Sequence, residues 1–344
     1  MGRIGLTDSA QLYIVSNQYN ERVTDMKRKE SFDDLRRARP MRDAALFAAL
    51  ALVMFVATNV NAQQSFRTPE EAAAALAKAA RTDDLKGLLV VLGEDGADIV
   101  SSGDKVADAA TRQRFVAAYD AKHQIEMEGD NKAIMVIGQE DFSLPIPLVR
   151  TKDAWQFDTD AGRDEIVYRR IGRNELNTVQ TCLAYVDAQN EYAEKDRGSG
   201  VGVYAQQFIS DPGTKNGLYW PTVPGEEPSP LGELMVKATE EGYQVGEGRS
   251  PYQGYYYRIL TEQGASAHGG PINYVVKGKL IGGFALVAYP ATYRNSGVMT
   301  FVVSHEGIVY QKDLGSDTAR IAEQMSEFNP DQTWAQTDET PPPQ

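Results

Sequence analysis

Residues 174–195, NELNTVQTCLAYVDAQNEYAEK, decide the fold. Leu176, Val179, Leu183, Val186 and Ala193 recur at the spacing of one helix face, with Cys182, Tyr185 and Tyr192 beside them. A stripe that wide buries against a sheet, and strand-like segments follow. GYYYRILTEQG (254–264), LIGGFALVAYP (280–290), GVMTFVVSHEG (297–307) and IVYQKDL (308–314) are rich in β-branched and aromatic residues. Turn residues separate them at Gly264, at 290–297 and at Glu306-Gly307. A long helix packed on an antiparallel meander makes residues 172–328 one α+β unit. The glycine- and proline-dense stretch 211–254 reads as a long ordered excursion, and 329–344, ending in Pro341-Pro342-Pro343, as a loose tail.

Residues 63–171 read as a second α+β unit. Thr68-Pro69-Glu70-Glu71 opens a helix, with threonine as N-cap, proline in the first turn and glutamates at the positive end. A short helix fits 83–92, stopped by Gly93, and another fits 111–122 with Phe115, Ala118 and Tyr119 on its apolar side. The period then changes to strands in KAIMVIG (132–138), FSLPIPLVR (142–150) and AWQFDTD (154–160), with turns expected at Asp130-Asn131 and Lys152-Asp153. Helices first and antiparallel strands after imply helices packed on one face of a curved sheet. The fold class expected is α+β in two domains: a cone of helices and curved antiparallel sheet, then a long helix on an antiparallel meander.

Further upstream, residues 44–58 read AALFAALALVMFVAT, the longest apolar run in the chain. Fifteen residues are short for a membrane span, which needs roughly 20. Arg36, Arg37, Arg39 and Arg42 precede the run and Val60-Asn61-Ala62 follows it. This is the pattern of a secretory signal peptide cleaved after Ala62. A retained N-terminal anchor and a buried core helix are the alternatives. No cysteine follows the run, so a lipid-anchored N-terminus is not expected, and the residues around Arg36-Arg37 do not fit twin-arginine export. Residues 1–40 are polar and mixed in charge, and Met26, followed by Lys27, Arg28 and Lys29, would be a more natural start.

The 344 residues carry 48 acidic and 35 basic side chains, a net charge of −13. Removing 1–62 leaves 41 acidic and 26 basic residues, a net charge of −15. So acidic a chain is not built to bind a phosphate backbone, and no nucleic-acid partner is expected. One cysteine excludes an intramolecular disulfide and a multi-cysteine zinc cage. Three scattered histidines argue against a histidine-rich metal site, and neither metal nor cofactor is expected.

Several stretches bear on relationship. Residues 63–171 resemble the nuclear-transport-factor-2-like superfamily in the helix at 68–80, Asp83-Asp84-Leu85, and the late strand pair around 147–150 and 155–158. The second half is similar to the globular part of pilin-like proteins, whose last strand reads like residues 301–310. There, however, an N-terminal apolar helix polymerises, whereas here a separate segment precedes the helix. More specific is the combination of ELNTVQTCLAYVDAQNEYA (175–193), NGLYWP (216–221), PYQGYYYRILTEQG (251–264), INYVVKGKLIGGFALVAYPA (272–291) and SGVMTFVVSHEGIVYQKDLG (296–315). Together they resemble the bacterial domain of unknown function 2950 family over about residues 66–335. That resemblance implies an exported envelope protein and supplies no catalytic residues.

The candidate contact surface is aromatic. Tyr219, Trp220, Tyr243, Tyr252, Tyr255, Tyr256 and Tyr257 crowd residues 219–257, and in a strand Tyr255 and Tyr257 share one face while Tyr256 takes the other. Exposed, they would suit an envelope protein, a peptide or a glycan; otherwise they fill a sheet core. His268-Gly269-Gly270 could cradle an anion or transfer protons, although no Gly-x-Ser-x-Gly element accompanies it. His123 with Asp158 could form an acid–base pair in the cone; the alternative is that His123 ends a helix and Asp158 caps the next. His305 falls in a hairpin turn with Glu306 and Gly307 and is expected to be solvated. Asp196, in KDRGSGVG (195–202), is the lone carboxylate of a worn calcium-type loop, read here as a glycine-rich turn. Cys182, on the apolar side of its helix, reads as a buried structural thiol. The favoured reading is a non-enzymatic binding or interaction protein of the envelope. The alternatives are a hydrolase or isomerase using a first-domain cavity or the 268 loop, and a pilin-like assembly component.

Overall fold

The computed structural model describes residues 63–223, 225–244 and 250–338. The expected leader lies outside the described residues. Four helices come first: α1 (Pro69–Arg81), α2 (Leu85–Leu92), α3 (Ala97–Val100) and α4 (Lys105–Ala121). The expected Thr68 cap and Gly93 stop are in place, and Asp84, expected inside the helix over 83–92, instead caps it. Thr68 accepts from the Glu71 amide and Asp84 from the Gly87 amide, and Gly93 ends α2. α4 starts six residues earlier than the 111–122 expected, because the Asp104 side chain accepts from Val106 and Ala107 and caps the helix there.

The first sheet holds β1 (His123–Met127), β2 (Lys132–Ile137), β3 (Phe142–Ser143), β4 (Leu148–Thr151) and β5 (Ala154–Phe157). Its order is β1-β2-β4-β5, all antiparallel, with β3 paired to β2. β1 has no apolar alternation, since both its faces are largely exposed, and that hid it from pattern reading. α1 and α2 bury Ala72, Ala73, Leu76, Leu88 and Leu92 against Met135, Leu148, Trp155 and Phe157.

The long helix, α5 (Thr159–Ala193), spans 35 residues and starts fifteen before the expected Asn174. Asp158 caps it, accepting from the Ala161 amide. The boundary expected at 171/172 therefore falls inside a continuous helix. The N-terminal half carries too many charges for a clean stripe, and its position comes from close approach. A Cβ on Gly162 would lie 2.4 Å from the Pro145 carbonyl oxygen. Gly162→Ala is thus expected to destabilise by about 1–3 kcal/mol through that overlap, against a helix-propensity gain of about 1 kcal/mol. Urea unfolding checks this, and a more stable variant would refute the contact.

Further along, α5 lays Val179, Cys182, Tyr185, Val186 and Tyr192 into a second core. α6 (Gly232–Glu240) lies within the stretch expected to be irregular. It is short and has no side-chain cap, so it left little trace in the pattern. Ten strands follow: β6 (Tyr255–Leu260), β7 (Glu262–Gln263), β8 (Ile272–Asn273), β9 (Val275–Val276), β10 (Lys279–Leu280), β11 (Ala285–Pro290), β12 (Met299–Ser304), β13 (Val309–Asp313) and, after α7 (Thr318–Gln324), β14 (Glu327–Phe328), with β15 (Ala335–Gln336) last. The main sheet runs β15-β13-β12-β11-β6, an antiparallel meander as expected. Between β6 and β11 the chain leaves to form β7–β10. β11 is buried along its whole length because a sheet covered on both faces needs apolar residues at every position. The tail is tied down in part: β15 pairs with β13, and Lys312 lies 5.8 Å from the Trp334 ring centroid. The mixed α+β class holds for the described residues.

Candidate functional site

The aromatic residues do not form one exposed platform. Tyr255 and Tyr257 face α5. Tyr255 is fully buried and its hydroxyl donates to the Met299 carbonyl at 3.0 Å; Tyr257 is half-buried and reaches Thr178 Oγ1 at 3.4 Å. Tyr256, also half-buried, takes the other face and packs 5.6 Å from the Tyr289 ring. That is the α7 side, since Tyr289 reaches Glu323 and Arg258 donates to the Ala322 carbonyl. Trp220 is a core residue with the Arg197 guanidinium 5.1 Å and the Lys215 ammonium 5.2 Å from its ring centroid. Lys195 and Arg197 together hold the Glu227 carboxyl down to about 2. Tyr219 and Tyr252 are half-buried, and Tyr243 is buried.

His123 and Asp158 sit at opposite edges of the first sheet, on β1 and just past β5. The His123 ring stacks on Tyr119 with centroids 3.9 Å apart, and its Nδ1 lies 2.8 Å from the Tyr119 carbonyl oxygen. Asp196 folds its own turn, accepting from the Gly198 and Gly200 amides at 2.8 Å each, and those bonds hold its carboxyl below the usual range. Cys182 is buried, and desolvation pushes its thiol well up, away from thiolate chemistry.

The arrangement with chemical potential forms at the 268 loop. Gln263, at the end of β7, is buried, and its Nε2 donates to the carbonyls of His268 at 2.6 Å and Gly270 at 2.8 Å. Its Oε1 accepts from the Tyr274 hydroxyl at 2.6 Å. Asn329 Oδ1 accepts from the Ser266 amide at 2.8 Å. A loop so pinned presents His268, whose side chain is 86% exposed, with Nδ1 2.6 Å from Glu306 Oε1. An ionised carboxylate only accepts, so the proton sits on Nδ1 and Nε2 is offered to solvent. His305 is adjacent in sequence to Glu306. It is not solvated as expected: its ring stands edge-on to Tyr274 at 5.8 Å and to Phe284 at 6.1 Å, and its buried Nδ1 has no partner among the described residues. Burial, and then the Glu306 charge, push the Tyr274 hydroxyl up, so it stays a neutral donor. Two histidines, a carboxylate and a buried phenol thus gather from residues 263–306. No local motif announced the pairing of His268 with Glu306, because 38 residues separate them.

A second polar cluster is largely buried. Asp104 Oδ1 accepts from the Val106 and Ala107 amides at 3.1 Å; Oδ2 accepts from the Tyr243 hydroxyl and the Gly254 amide at 2.8 Å. Arg170 donates to the carbonyls of Asp98 at 2.6 Å and Ile99 at 2.7 Å and to Asn295 Oδ1. Asn295 Nδ2 donates to the Ser101 carbonyl, and Asn174 to that of Ser296. These groups satisfy one another and tie residues 98–108 to α5 and to the approaches of β6 and β12. Their work is structural.

A family model described as "Protein of unknown function (DUF2950)" matches residues 63–337, and the chain belongs to that family. No curated protein and no solved structure matches it.

Proposed function

We propose that this is an exported protein of the cell envelope that acts by binding a peptide or glycan, with the 268 loop as its contact site. Export is supported by the apolar run 44–58, set between arginines and Val60-Asn61-Ala62. The observation that carries the binding site is the His268–Glu306 pair: a carboxylate-oriented imidazole, held on a loop that Gln263 fixes, is preorganised to meet a hydroxyl or amide of a ligand. Capture from envelope extracts on immobilised protein tests it. His268→Ala is expected to lose most of the captured ligand while His123→Ala retains it; equal capture by both variants would sink the assignment.

The same pair favours one second reading, a hydrolase or isomerase. Nδ1 bound to a carboxylate and Nε2 open is the arrangement of a general base. Turnover of p-nitrophenyl esters that disappears in His268→Ala would favour catalysis over binding.

A further inference from the structure

β1 is the end strand of the first sheet, and among the described residues β2 is its only strand neighbour. The ladder decides which backbone groups face outward. At one end the Gly138 amide donates to the Lys122 carbonyl at 2.9 Å, and at the other the Glu128 amide donates to the Lys132 carbonyl at 2.8 Å. Both bonds continue the register that sets His123 against Ile137 and Met127 against Ala133. Bonded and non-bonded pairs alternate along an antiparallel ladder. Lys122, Gln124, Glu126 and Glu128 therefore turn their main-chain groups toward β2, and His123, Ile125 and Met127 turn theirs outward. A row of outward donors and acceptors is a template for another strand.

We propose that the occupant is β1 of a second copy of this chain, antiparallel, on a two-fold axis through Ile125. The parity allows it: Ile125 meets its own equivalent and His123 meets Met127, each pair exchanging both N–H···O bonds. The side chains are self-complementary in the same register. Gln124 falls opposite Glu126, and Lys122, whose backbone is already extended, falls opposite Glu128, each twice. Sliding by one pair sets Glu126 against itself. Sliding the other way runs Met127 into Ala121, the last residue of α4. The charges are available: Lys122 pairs within the chain with Asp141, and Glu128 with Lys132, in exposed ion pairs that can exchange partners at little cost. Pairing also covers Met127, which is 52% exposed. The two first sheets become one, and α4 of each copy flanks the seam.

Sedimentation velocity of the purified protein over roughly 1–100 µM, the range expected of a small edge interface, tests this. The wild type is expected to sediment as a reversible dimer. Ile125→Pro removes an outward N–H, leaves the β1–β2 bonds in place and should sediment as a monomer with an unchanged far-UV spectrum. Lys122→Glu and Glu128→Lys each set like charges opposite one another twice and should weaken the dimer about tenfold. The double swap should restore it, which a folding defect would not. A wild type monomeric throughout the range, or a double swap no better than the singles, would overturn the proposal.

Discussion

Asp104→Ala is expected to lower the free energy of unfolding by about 3–5 kcal/mol, the largest loss from any single polar residue described here. The carboxylate accepts from two half-buried amides at the start of α4 and, in a region closed to solvent, from the Tyr243 hydroxyl and the Gly254 amide. Truncation leaves the last two donors buried without that partner, and each orphan costs on the order of 1–3 kcal/mol. Asp104→Asn keeps the shape but replaces one acceptor with a donor facing other donors, so it should lose somewhat less. Tyr243→Phe removes one of the carboxylate's partners and the acceptor of the Gln253 amide, at about 1–2 kcal/mol. Combined with Asp104→Ala in a double-mutant cycle, it should show strong coupling, because the two groups share one bond. Guanidinium unfolding gives each value. A loss below about 1 kcal/mol for Asp104→Ala would mean that water reaches the site.

Tyr255→Ala is expected to cost a similar 3–5 kcal/mol, for a different reason. The ring is completely buried in the second core, 5.8 Å from Phe301, and it fills space left for it by a glycine. A Cβ on Gly297 would lie 2.0 Å from the Tyr255 hydroxyl oxygen. Removing the ring opens a cavity that the rigid sheet cannot collapse. Tyr255→Phe keeps the ring, loses the bond to the Met299 carbonyl and should cost about 1 kcal/mol. A surface aromatic would tolerate either change within about 0.5 kcal/mol, so the same measurement separates a core ring from a contact ring.

Local reading succeeded where short-range forces decide. Thr68 and Asp158 each cap the helix that follows them, because a side-chain oxygen reaches an amide three residues on without help from the rest of the fold. The strands of the main sheet were legible because β11 and β12 are covered on both faces and read as near-continuous apolar runs. β1 and α6 were missed for the converse reason: one is exposed on both faces, the other nine residues long and uncapped. The candidate site was half legible. His268 stood out in a glycine turn, but its partner Glu306 looked like an ordinary solvated turn residue.

Taken alone, the sequence determined the α+β class, the helix stripe from Leu176 to Ala193 and the order of the meander, all consequences of periodicity and turn chemistry within a few residues, while the family was carried by the resemblance of its long motifs. The tertiary structure decided which faces of those elements are covered. Alternation in Tyr255-Tyr256-Tyr257 is a local property, yet whether a face meets water or a helix depends on α5 and α7, which come from sequence far to either side. It also decided which polar residues meet. Asp104 and Gly254 lie 150 positions apart, and Arg170 and Asn295 lie 125 apart. Hydrogen bonds across such separations form only after the chain has closed the loops between them, and no local pattern encodes that closure.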